Sequence, residues 1–538
     1  MAQNKKTTGK QTFLQGAAVL AAATAIVKII GAIYKIPLQN IVGKAGYGYF
    51  GTAYNVYDVL LMVSTTGLPV AMSRMISEAQ TLEHHDQIRK IFSTALRVFL
   101  LLGILGSAGM LLLAKPLSAM FHNGEDVAWF AIACLAPAVL LVCIIAAFRG
   151  FFQGQSNMTP TSVSQVFEAL CKLIVGLALA WVLMEATGGD QTYGAGGAIL
   201  GVTIGCLVSM LYLTWRYRCA IRELPTGGPV KTTMDTMKTL LAIAVPITLG
   251  SAGLQIINLV DAVVYMRRLV NAAGILPGRA DELKGIYEFC RTIFNLPGAF
   301  ITPIVISVIP AITSHLTMKN QRGVRMVEGS ALRITGLIAA PCAFGLLSLA
   351  KPIVDLLTAN YTQADLQVGG MILALLGVTV LFNSVILVTN AMMQAHGDVT
   401  TPVVNMILGG VVKVVINFVL VGIPSLNIVG AAIGTLICYL VIMVLNIAAM
   451  HRKASIDLRS LTGLLKPILA AALMGAVAYM ANGFLSAYLG SSLGCLLGIC
   501  AAGVVYVILV VALKVITYDD CMLLPGGEKI AKILRVRD

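Results

Sequence analysis

Lys172 and Lys413 each lie near the middle of a long apolar stretch and stand 241 residues apart, the same separation as Gln153 from Gln394 and Pro69 from Pro310. An ionised amine at mid-depth in a bilayer costs about 2.5–3.5 kcal/mol on insertion scales, so a chain that carries one at matching places in two copies uses it. The chemistry open to such a group is holding an anion. Ala114-Lys115-Pro116 recurs as Ala350-Lys351-Pro352 at an offset of 236, so the copies run in parallel with little change of length.

Other polar residues fall at helical spacing inside apolar runs. Gln165, Glu168 and Lys172 share one helix face, as do Asn405, Lys413 and Asn417 in the equivalent run. Glu168 and Lys172 would neutralise each other if they paired, whereas Lys413 has no acid four residues away, which favours a cavity-facing role. Thr24, Lys28, Gly31 and Lys35 form a stripe in the first run; Lys35 is near a span end and would snorkel, while Lys28 lies deeper. Asn55 with Asp58, and Glu288 with Arg291 and Asn295, make two shorter stripes, and Asn55 and Asn295 are 240 residues apart. The candidate anion-binding set is therefore Lys28, Lys172, Arg291 and Lys413, with Glu168, Asp58 and Asn295 beside them. Gln255, Asn258 and Asp261 recur every three residues and are the candidate site for a coupling cation, Na+ or H+.

These residues have to be positioned by membrane-spanning helices. The chain has 538 residues, 58% hydrophobic and 12% charged, with a mean hydropathy of +0.87, values a soluble globule does not reach. Apolar runs of about 20 residues, the length that crosses a hydrocarbon core, number fourteen, and they are continuous rather than alternating, which indicates helices and not a barrel. The first run is too long for a signal-peptide core and is expected to be retained. The plan is six, six and two: a lobe over 1–222, a second over 223–450, and a final pair with a basic tail over 451–538. An even number of spans per copy relates the lobes by an axis along the membrane normal, with a central cavity expected at their interface. Lys5, Lys6, Lys10, Arg74, Arg89, Arg149, Arg216, Arg222, Arg325, Arg459 and the basic tail then lie on the cytoplasmic side with both termini. The other side carries one basic cluster, Arg267, Arg268, Arg279 and Lys284.

Several function classes are excluded by this reading. The net charge of +14 is accounted for at span ends by topology and anionic lipid, not by nucleic acid. Eleven scattered cysteines and six histidines at loops or span ends, with no Cys or carboxylate cluster around them, offer no metal site. No GxxxxGK[ST] loop or nucleotide-binding domain is present, and the lone acids are too dispersed to nominate a catalytic pair. The expectation is a non-enzymatic transporter with no cofactor.

The run Arg149-Gly150-Phe151-Phe152-Gln153-Gly154-Gln155-Ser156-Asn157-Met158-Thr159-Pro160 with Ser164, Gln165 and Glu168 resembles the polysaccharide-transport branch of the multidrug/oligosaccharidyl-lipid/polysaccharide exporter superfamily. Within it the chain is similar to the stage V sporulation protein B group. Gly67-Leu68-Pro69 with Arg74, the stretch from Gln394 to Pro402, and Pro424-Ser425-Leu426-Asn427 with Gly430-Ala431-Ala432 carry the same resemblance. It implies a flippase for undecaprenyl-pyrophosphate-linked saccharide, above all the peptidoglycan precursor lipid II, working by alternating access in a bacterial cytoplasmic membrane. It also implies a last helix pair that borders a groove for the lipid tail, and cell-wall synthesis proteins as partners. Lys172 stands where that group is expected to have arginine. The alternatives are a flippase for teichoic-acid or capsule units, a drug or cation antiporter, and a non-transporting scaffold for envelope or spore assembly.

Overall fold

The computed structural model of the chain describes residues 13–453, 463–513 and 515. Lys5, Lys6, Lys10, Arg459 and the basic tail lie outside the described residues. All regular structure among the described residues is helical. Eleven helical stretches there are long and apolar enough to cross a membrane, so the chain is a multi-pass membrane protein.

The helices form two compact units. The first, residues 1–270 and 276–285, contains α1 (Phe13–Thr65), α2 (Gly67–Thr81), α3 (His85–Leu112), α4 (Ala114–Phe121), α5 (Trp129–Gly154), α6 (Thr159–Ala186), α7 (Gln191–Glu223), nearly all of α8 (Thr233–Asn271) and the first half of α9 (Pro277–Phe294). The second, residues 271–275 and 286–538, contains the rest of α9, then α10 (Leu296–Thr317), α11 (Gln321–Ser348), α12 (Ala350–Leu357), α13 (Gln363–Ala395), α14 (Thr400–Leu420), α15 (Val429–Lys453), α16 (Leu465–Leu489) and α17 (Ser491–Ala512). The two Ala-Lys-Pro motifs open α4 and α12, each eight residues long and each following a helix of 28 residues.

α1 holds the first two expected spans. It breaks at Gly43, whose φ of 73° only glycine adopts at low cost, six residues after Pro37. Gln191 occupies the break, and its Oε1 accepts the freed backbone N–H of Gly46 at 2.8 Å. The eighth expected span is divided at Asn295 into α9 and α10, where Pro297 near the start of α10 resets the chain direction.

In the first unit α6 and α7 meet along Gly197, Gly201 and Gly205, one small residue per turn of α7. A Cβ on Gly201 would lie 2.2 Å from the Cα of Gly176, and one on Gly205 would lie 2.8 Å from the carbonyl oxygen of Glu168. Without a hydrophobic drive between helices in lipid, such close backbone packing is what holds them. It also sets the position of the α6 face that carries Glu168 and Lys172.

In the second unit Ile301, Val308, Ile312, Leu332, Val388 and Met392 make a core among α10, α11 and α13. α13, α14 and α15 are tied by a buried amide network. Asn446 receives the amide of Asn405 at 2.9 Å and donates to Asn390 at 2.8 Å and Thr389 at 3.1 Å. Asn405 thus binds helices together and does not face a cavity. Asn446→Leu is expected to cost about 1–3 kcal/mol for each buried partner left unpaired, read as a lowered thermal unfolding midpoint of the purified protein. α16 and α17 turn at Gly490 (φ 81°), and Tyr506 donates to the carbonyl of Leu337 at 2.9 Å. Val504, Val507 and Ile508 on the outer face of α17 are exposed, as lipid contact requires.

Candidate functional site

Each unit gathers its own set of charges, and the two are taken in turn. In the first, Lys172 is half-buried between α6 and α1. Its Nζ donates to the hydroxyl of Tyr54 at 2.7 Å and lies 5.1, 6.0 and 4.8 Å from the ring centres of Tyr34, Phe50 and Tyr54. Ring faces are negative, so three of them offset part of the cost of keeping the ammonium out of water without adding a full counter-charge. Lys35, Glu168 and Asp58 all act on it electrostatically.

Glu168 is not the partner of Lys172. Arg149, near the end of α5, donates to Glu168 at 3.1 Å through Nη2 and to Ser164 at 3.1 Å through Nε. The pair along α6 that helix spacing allowed is not formed; Glu168 pairs between α5 and α6 instead, and Arg149 is a helix residue rather than a loop cation. Lys172 spends one of its three N–H donors on Tyr54, its hydrogen-bond partner among the described residues. Asp58 is half-buried on α1, and Lys28, one turn before Gly31, is exposed.

In the second unit Arg291 on α9 is held by Glu288, one turn back, with Nη1 at 3.0 and 3.2 Å from the two carboxylate oxygens. Its guanidinium lies 6.0 Å from the ring centre of Tyr287, whose hydroxyl meets Thr435 at 2.9 Å. Lys413 on α14 and Arg291 both act on the phenol of Tyr439, so these two cations share one neighbourhood. Asn417 is buried over Gly434, where the missing Cβ leaves room for its amide oxygen. Asn295 is exposed at the joint between α9 and α10.

The candidate coupling residues divide. Gln255 accepts from Asn258 at 3.0 Å, while Asp261 is buried. Among the described residues no group of three or more His, Cys, Asp or Glu side chains is placed to hold a metal ion.

Two groups read from the sequence as loop residues are instead in a buried cluster. His122, following α4, has Nδ1 2.5 Å from Asp281 and Nε2 3.0 Å from Thr52, and Lys284, fully buried on α9, donates to the same Thr52 hydroxyl. His122 thus has a carboxylate partner, Asp281. His396 likewise meets Glu328 at 2.9 Å. Partners 159 residues apart in one case and 68 in the other leave no signal in a linear pattern.

The family model described as polysaccharide biosynthesis protein matches residues 13–315. The chain is 30% identical over 534 residues to the uncharacterized membrane protein YabM of Bacillus subtilis, covering 97% of each. It is 25% identical over 457 residues to the lipid II flippase MurJ of the same organism, covering 82% of this chain and 83% of that one. Among solved structures, a lipid II flippase MurJ in an inward closed conformation superposes with a TM-score of 0.65 at 16% identity, over 91% of this chain and 98% of that one.

Proposed function

Because this chain belongs to the polysaccharide biosynthesis protein family, we propose that it is a flippase for polyprenyl-pyrophosphate-linked saccharide, with lipid II as the substrate, carrying the head group from the inner to the outer leaflet by alternating access. The observation that carries this reading is Lys172, an amine deep among apolar helices that rests on three aromatic rings and, among the described residues, commits one of its three donors, to Tyr54. A phosphate oxygen is the acceptor that suits it. Arg291, which shares its charge with Glu288, and Lys413 are the corresponding cations of the second unit, and their aromatic neighbours Tyr287 and Tyr439 resemble the setting of Lys172.

A saccharide head cannot cross hydrocarbon, because each unsatisfied hydroxyl costs several kcal/mol there. The protein has to shield the head while the lipid tail remains in the bilayer, and the apolar outer faces of α16 and α17 suit that tail. An inside-negative potential drives an anion outward by about 2.3 kcal/mol per charge per 100 mV, so a pyrophosphate gains from the potential without ATP. A drug or cation antiporter would need unneutralised cavity acids, but Glu168 is taken by Arg149 and Glu288 by Arg291. With the N-terminus cytoplasmic, the loop after α4 and the start of α9 lie at the outer end.

Expression of this chain in a bacterium depleted of its own lipid II flippase is expected to restore growth. Lysis on depletion despite normal amounts of the chain in the membrane would refute lipid II as the substrate.

A further inference from the structure

We propose that His122 is a proton-binding site, and that proton binding there favours a form in which the start of α9 is released from α1. The cluster consists of Thr52 on α1, His122 after α4, and Asp281 and Lys284 one turn apart on α9, each no more than 2% exposed. Tyr49 places its ring edge-on to His122 at 5.3 Å. Glu125 and Asp190 act on Tyr49 from the flanking segments, and Lys44, Arg279 and Glu282 form a partly exposed ion group beside the cluster.

The hydrogen bonds are arranged so that a proton can be added without orphaning a group. With His122 neutral, its Nδ1–H donates to Asp281 and its Nε2 accepts the hydroxyl of Thr52. Once His122 is protonated, Nε2–H donates to Thr52, and the hydroxyl turns to the carbonyl of Gly48, already 3.1 Å away. Lys284 donates to Thr52 in both states. A hydroxyl with two acceptors in reach is a rotor between two protonation states.

What changes is charge. Lys284 and Asp281 balance when His122 is neutral, and a proton leaves one positive charge in excess in a dry site next to Lys284. Burial, and then the Lys284 ammonium, push the His122 imidazole below its ordinary range, against the opposing pull of Asp281. An imidazole that binds its proton poorly when enclosed and normally when wetted favours the wetted form in acid. The sign follows: as pH falls below about 6.5 the enclosed form loses ground, by at most tenfold per pH unit. Combined with the transporter reading, this would let outside acidity promote opening at that end, but the site itself does not depend on that reading.

The test uses the full chain in lipid nanodiscs. Ala280, fully buried on α9 beside Asp281, is replaced by cysteine, and its modification by a methanethiosulfonate reagent is followed by mass spectrometry of its peptide. Taken relative to labelling of the exposed Cys219 in the same sample, which cancels the fall in thiolate with pH, labelling is expected to rise by up to about tenfold between roughly pH 7.5 and 5.5, and the same relative rise is expected to vanish when H122Q is added. Nitrogen-15 histidine spectra, with H122Q identifying the resonance, are expected to show His122 gaining its second proton over the range where labelling rises. An unchanged pH response in H122Q, or a His122 that stays neutral while labelling rises, would overturn the proposal. Neither readout involves transport, so failure here is distinguishable from failure of the flippase reading.

Discussion

Replacing Lys172 and Lys413 together by alanine is expected to abolish export of the proposed lipid-linked head group and to leave the protein folded. Each ammonium would give a phosphate oxygen a charge-assisted hydrogen bond worth about 1.5–3 kcal/mol, so loss of both weakens binding by about 3–6 kcal/mol, or two to four powers of ten. Folding should survive the loss of Lys172, because Glu168 keeps Arg149 and the Tyr54 it leaves is only half-buried. Lys115→Ala is the control. That side chain is 66% exposed in a surface pair with Asp126, and such pairs contribute about 0–1 kcal/mol. Complementation and membrane abundance measured on the same cultures separate loss of function from loss of protein.

Gly201→Val is expected to lower stability by forcing two helix backbones apart. The new Cβ would meet the Cα of Gly176 at 2.2 Å and its nitrogen at 2.3 Å. Both are backbone atoms, so no side chain can move aside, and α6 and α7 must separate. Overpacking of this kind costs about 1–3 kcal/mol or more, and it also displaces the α6 face that bears Lys172. The thermal unfolding midpoint in detergent should fall and transport should fall with it. Gly31→Ala serves as the comparison, because nothing lies within 4 Å of its added Cβ and alanine is the better helix former by about 1 kcal/mol. Equal midpoints for the two variants would remove close helix packing as the reason for the α7 glycine row.

The architecture was legible where it depends on local chemistry. Apolar run length marks helices without reference to anything distant, and the Ala-Lys-Pro repeat does mark two equivalent short helices, α4 and α12. Lys172 could likewise be singled out, since a charge within an apolar run is costly wherever its neighbours lie. Its setting could not. Tyr54 is 118 residues away, and Glu168, which helix spacing allowed as a partner on the same helix, is taken by Arg149, a geometric preference that spacing alone does not encode. Lys284 stands in a polar segment that reads as an outer loop, yet it is fully enclosed because Gly285 and Gly48 let α9 approach α1. Asn405 shares a helix face with Lys413, but a polar residue on a membrane helix is equally satisfied by a neighbouring helix, and Asn446 provides that.

The most direct measurement is transport by the purified chain alone. Liposomes containing it are loaded with fluorescent lipid II on one leaflet, an inside-negative potential is imposed with potassium and valinomycin, and the probe reaching the other leaflet is quantified with a membrane-impermeant quencher. Movement well above that in protein-free liposomes, raised by the potential and lost in the Lys172→Ala, Lys413→Ala double variant, is the expected result. Movement no faster than in protein-free liposomes, or full movement in the double variant, would contradict the assignment of these cations to the pyrophosphate.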